Sequence, residues 1–134
     1  MNASQTAPTA ADRLRHAIDA RSRAEAAEAR ALADFATEHE WPVDAEIDLV
    51  GQRPVRVGAD GTPVLDEYVA LEVAALKAIS VTAATWLIRD IVNLRFRHPR
   101  LWVRTLAGDI ALHRACQLAA EAARFELTAE QAHH

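Results

Sequence analysis

Five arginines crowd one stretch of this 134-residue chain: Arg89, Arg95, Arg97, Arg100 and Arg104. A guanidinium keeps its charge and donates paired hydrogen bonds, so the chemistry that suits such a cluster is the holding of phosphate oxygens. At helical spacing Arg89, Asn93 and Arg97 share one face, and Arg100 and Arg104 share a face of the next helix. Residues 85–114 carry six arginines against two aspartates, whereas residues 41–72 carry seven acids against two arginines. The net charge of −4 argues against wholesale nucleic-acid binding and restricts the expectation to a local surface. The nucleic-acid-binding candidates are therefore Arg89, Arg97, Arg100 and Arg104. The competing reading is a solvated face whose arginines bond the carboxylates of the acidic segment.

Other chemistries find little footing. The six histidines (His16, His39, His98, His113, His133 and His134) have no metal-ligand spacing, and a site needs three or four converging ligands. The one cysteine, Cys116, has no sequence sign of activation and cannot form an internal disulfide, so it reads as a structural thiol of a reducing compartment. No Gly-rich phosphate loop, nucleophile elbow or triad pattern occurs, so the expectation is a chain that is not an enzyme by itself and takes no cofactor. No basic segment followed by an apolar run opens the chain, and no stretch approaches the roughly 20 apolar residues that span a bilayer, which predicts a cytoplasmic protein with no membrane partner.

The elements that must position the arginines are helical. Alanine is abundant and aromatics are few, which fits helices packed through small faces. Residues 1–8 read as a loose tail. From Thr9 to about Glu38, Leu14, Ala17, Ile18, Ala24, Ala27, Ala31, Leu32 and Phe35 recur at helical spacing. So long a helix with so thin a stripe needs a partner helix, in the domain or in a second copy.

Residues 41–64 hold three of the four glycines and three of the five prolines and read as a connecting loop, with a hairpin of Glu46–Val50 and Pro54–Val57 as the lesser alternative. Helices are then expected over Leu65–Lys77, with Tyr68, Leu71, Val73, Ala75 and Leu76 packing inward, and from an N-capping Ser80 to about Arg97. Two more follow, from Pro99 to a left-handed cap at Gly108 and from Ala111 to Arg124. Thr128-Ala129-Glu130-Gln131 reads as a capping box six residues before the end, so the domain, residues 9–134, is expected to be truncated at its C-terminus.

Within this series Glu72 to Ile88 has helix-turn-helix character. Val73, Ala74, Ile79, Ala84 and Leu87 would pack two short helices at an angle, while Val81, Thr82, Thr85, Trp86 and Arg89 would face outward where a DNA reader makes base contacts. The competing reading is a helical hairpin inside a bundle. Ala78 stands where such a turn usually has glycine. Trp86 is either a contact residue or packed beneath the loop 41–64, and Trp102 is assigned to the core.

One further pattern runs from Gly58 onward. Gly58-Ala59-Asp60-Gly61-Thr62-Pro63 is followed by Glu67-Tyr68, Glu72-Val73-Ala74-Ala75-Leu76 and Ile79-Ser80. Asp90, Leu94-Arg95, Arg97-His98-Pro99-Arg100-Leu101-Trp102, Ala107-Gly108-Asp109-Ile110 and Arg114-Ala115 come after. In order and spacing this resembles the helical domain of unknown function that precedes the nuclease in the bacterial HNH endonuclease family with 13E12-type repeats. The family usually has glycine where Ala78 stands and a basic or polar residue where Cys116 stands. The HNH nuclease module, whose histidines and asparagine hold a divalent ion, is not in this sequence. The resemblance implies a non-catalytic helical module that assists DNA engagement, with DNA or an HNH nuclease module as partners, while the long first helix adds a second copy of the chain to the expected partners. The alternative is a protein-interaction or dimerisation module acting through the long first helix. The fold class expected is all-α, an irregular bundle of about five helices.

Overall fold

The computed structural model describes residues 6–41 and 54–125. It is all-α, with five helices and one very small sheet: α1 (Ala10–Glu38), β1 (Pro54–Val55), β2 (Leu65–Asp66), α2 (Tyr68–Lys77), α3 (Val81–Arg97), α4 (Pro99–Leu106) and α5 (Leu112–Arg124). The helices begin where side chains satisfy free amides. Thr9 and Asp12 form a reciprocal capping box on α1, and the Ser80 hydroxyl accepts from the Ala83 amide at 3.0 Å. Pro99 opens α4 at a position where its missing N–H costs nothing. After α4, Gly108 adopts φ 88°, and the amides of Gly108 and Asp109 return to the carbonyls of Thr105 and Arg104. That is the paired-bond cap that only a left-handed residue allows.

Helix α3 is the centre of the molecule, since α1, α2, α4 and α5 all pack on it. One apolar cluster joins Ala36 of α1, Leu65 of β2 and Val69, Val73 and Ala74 of α2 to Ala84, Ile88 and Val92 of α3. A second joins Ala29 and Ala33 of α1, Trp102 of α4 and Ala115 and Ala119 of α5 to Ile91 and Leu94 of α3. Ile91, Val92, Asn93 and Leu94 are consecutive and all buried, and four residues at 100° each encircle most of a helix. The middle of α3 is thus enclosed on nearly every side, which a single apolar stripe does not anticipate. The alanines of α1 and α5 at these contacts have no bulk to hold the helices apart, so close approach replaces large side chains.

Two expectations are corrected, the start of α2 and its inner face. Leu65–Asp66 is extended, not helical: it pairs antiparallel with β1 in the register Pro54 with Asp66 and Val55 with Leu65. Leu65 also bridges Glu40 at the end of α1, and the Trp41 amide donates to the Val64 carbonyl at 2.7 Å. The chain therefore returns alongside the end of α1 before α2 begins. The proposed hairpin has its second half here, but Pro54–Val55 pairs forward with β2; Glu46–Val50 lies outside the described residues, as does the capping box at Thr128.

In α2, Val73 is buried as expected, but Tyr68, Leu71, Ala75 and Leu76 are exposed, Leu76 at 79%, while Val69 and Ala74 face the core. A ten-residue helix in which only Glu72 and Lys77 are charged offers little periodicity from which to choose its inner face. In α1, Leu14 and Ile18 are 61% and 55% exposed, and burial begins only beyond Ala24. Among the described residues no single helix is long and apolar enough to cross a membrane.

Candidate nucleic-acid interface

The four arginines named from sequence do not form one surface. Arg97 is fully buried, and its guanidinium Nη1 donates to the carbonyl of Asp60. It holds a loop, and its assignment as a phosphate contact is withdrawn. Its helix neighbour Asn93 is buried too, with Oδ1 accepting from the Ala59 amide at 2.7 Å. The segment 58–62 completes the arrangement. Thr62 Oγ1 donates to the Ala59 carbonyl at 2.6 Å, and Gly61 takes φ 90°. Gly58 lies so close that a Cβ there would be 2.6 Å from the Thr62 side chain and 2.9 Å from Asn93 Oδ1. The polar face read from the spacing of Arg89, Asn93 and Arg97 is real. Its second half clasps backbone from more than thirty residues upstream.

Arg89, Arg100 and Arg104 remain exposed. Arg89 Nε lies 3.6 Å from Asp90 Oδ1, and Arg104 Nε lies 3.9 Å from Asp109 Oδ2. Exposed pairs of this kind contribute roughly 0–1 kcal/mol and release their arginines readily to a stronger anion. Arg100 and Arg104 are one turn apart on α4. Arg95, also exposed, lies over the ring of Phe96.

The first two turns of α3 are arranged differently from the last two. Helices α2 and α3 meet at a bend of 106° across Ala78, Ile79 and Ser80. Ala78 provides the turn with φ 54° and ψ 46°, the left-handed conformation that glycine usually fills. The Ile79 amide then closes on the Ala74 carbonyl at 3.0 Å. Val73, Ala74 and Ala84 are buried inside the angle, and Ile79 and Leu87 are half-buried there. Val81, Thr82, Trp86 and Arg89 face out, with Thr85 half-covered. Trp86 is 58% exposed, so no described part of the loop covers it, whereas Trp102 is in the core. Two helices near a right angle, a three-residue turn and an outward-facing start of the second helix are the geometric elements of a helix-turn-helix.

A cleft of about 450 Å³ opens between α1, α3 and α5, with Glu25, Glu28, Asp90, His113 and Cys116 among its lining. Burial raises the carboxyl of Asp90 above the ordinary aspartate range, against the pull of Arg89. Burial and then the Asp90 charge push the Cys116 thiol up to about 11, so it is a poor nucleophile at neutral pH. Among the described residues no group of three or more His, Cys, Asp or Glu side chains could hold a metal ion. Lys77, the one lysine of the chain, also lines the cleft and pairs with Glu28.

The chain matches no known protein-family profile, no curated protein and no solved structure.

Proposed function

We propose that the chain is a non-catalytic helical module of an HNH-endonuclease-type protein, and that it assists DNA engagement through α2, the turn at Ala78 and the start of α3. The observation that carries this reading is the 106° bend with Thr82, Trp86 and Arg89 exposed on the leading turns of the second helix. Thr82 and Arg89 supply hydrogen-bond donors of the kind used on base edges, and Trp86 supplies a flat apolar face. Arg100 and Arg104 on α4 are the phosphate contacts of the proposal, in keeping with their exposure. The overall charge of −4 makes this a reading of few, local contacts and so of modest salt dependence.

The test is a salt titration of binding to a fluorescent duplex. The two phosphate-neutralising arginines, Arg100 and Arg104, give a slope of log affinity on log salt near −1.8. Arg100→Ala should flatten the slope by about 1, and Trp86→Ala should weaken binding at every salt concentration without changing the slope. Absence of duplex binding at low salt, with the fold intact by circular dichroism, would reject the reading.

A second reading, a module that associates through α1, is favoured by one observation: the first half of that helix presents Leu14 and Ile18 to solvent.

A further inference from the structure

The N-terminal half of α1, residues 10–24, contributes no buried residue, although it is helical throughout. That is an arm about 22 Å long at 1.5 Å per residue. A helix of this length is marginal in water without a surface to pack on. Its apolar side chains lie on the line that continues into the packed half. Leu14, Ile18, Arg21, Glu25, Glu28, Leu32 and Phe35 follow one another at alternating steps of four and three residues, the spacing of a helix–helix seam.

The charges along α1 are segregated. Residues 10–23 hold four arginines and two aspartates; residues 24–38 hold four acids and Arg30. Beyond Asp12 in the first turn this order runs against the helix dipole, which favours acids at the start and bases at the end, and the last turn has no basic residue. Stability of α1 alone does not account for such an arrangement. An antiparallel neighbour does, because it sets each basic half beside an acidic half.

The cleft beside the acidic half has the matching character. Lys77 pairs with Glu28, and Glu25 and Asp90 leave the cleft acidic on balance, while Leu32, Leu87 and Leu112 give it apolar wall. It opens where α1 leaves the body of the molecule, since Glu25 and Glu28 are the α1 residues just beyond the arm.

We propose that this cleft receives the arm of a second copy of the chain, antiparallel to α1, so that two copies exchange arms about a two-fold axis near Arg23. In that register Leu14 of each copy lies beside Leu32 of the other, and Arg21 lies beside Glu25. Each Arg21 already bonds Glu25 of its own chain at 3.2 Å, so the pairing closes a four-charge ring. Ile18 meets the region of Glu28 and Ala29, next to the apolar cleft wall. The proposal rests on the second reading above and adds to it the occupant, the direction and the register; it does not depend on the DNA reading.

The experiment is light scattering on the full chain and on two charge-reversed variants. One carries an acidic arm, Arg15→Glu with Arg21→Glu; the other carries a basic cleft, Glu25→Arg with Glu28→Arg. Wild type is expected at twice the chain mass of 14.7 kDa. Each variant alone sets like charges against each other and should dissociate at least about tenfold more readily. An equimolar mixture should recover the doubled mass, because the acidic arm then meets the basic cleft and the basic arm meets the acidic one. That recovery also shows both variants to be folded. A folded wild type that stays at the single mass up to about 100 μM overturns association through α1 altogether. A dimer that survives both variants, or a mixture that is not restored, leaves association standing and overturns the arm exchange.

Discussion

The least expected residues are the ones that hold backbone in place. Asn93 and Arg97 sit one turn apart on α3, and each engages a main-chain group of the 58–62 segment. Removing the Asn93 amide leaves the half-buried Ala59 N–H without its side-chain acceptor, a loss of about 1–3 kcal/mol. Gly58→Ala should cost a similar amount, about 1–3 kcal/mol, because the new methyl group meets the side chains of Thr62 and Asn93 well inside contact distance. Urea midpoints are expected to fall for both variants at unchanged m, while Arg89→Ala stays within about 0.5 kcal/mol of wild type. Midpoints that do not move would mean that the segment is not clasped. The sequence made the polar face visible through its i, i+4 spacing, but spacing reports which residues share a face and not what lies on it. The cover comes from residues 58–62, so Arg97 looked like a free cation although it is fully buried.

Elements were more legible than their faces. Thr9, Ser80, Pro99 and Gly108 mark helix boundaries through local chemistry, and the helices begin or end beside them. The start of α2 was misplaced by three residues because Leu65 belongs to a strand pairing that needs a distant partner. The turn between α2 and α3 is the element with the clearest unmet preference. Ala78 is the one described non-glycine residue at positive φ, a conformation that costs an L-residue roughly 1–2 kcal/mol. Glycine relieves that strain but raises the entropy of the unfolded chain. Ala78→Gly is therefore expected to stabilise the fold by about 0.5–1 kcal/mol, read as a higher urea midpoint. A lower midpoint would show that the methyl group packs to more advantage than the turn conformation costs. The same substitution should leave duplex binding intact, since the bend it supports is retained.

At the scale of the whole molecule, α3 is shared by two apolar clusters and a polar clasp, and α1 is half inside that assembly and half outside. An all-α bundle was legible from alanine content and periodicity, but the division of α1 was not, because Leu14 and Ile18 have the same spacing and hydropathy as residues that are buried further along. This geometry has a consequence for backbone dynamics. The Ala59 amide lies in a segment with no regular secondary structure, yet its acceptor is a buried side chain on the most enclosed helix. Its proton should exchange with deuterated solvent as slowly as the amides in the middle of α3, through openings that approach global unfolding. The amides of residues 13–24 are satisfied within α1 but lack a packed surface, so in a separated chain they should exchange through fraying, orders of magnitude faster. Seating the arm in a second copy would slow exactly that set and make its rate depend on protein concentration. A loop proton that outlasts those of a regular helix, with only the helical ones responding to dilution, is the pattern to look for by mass spectrometry; rapid exchange at Ala59 would show the clasp to be open in solution.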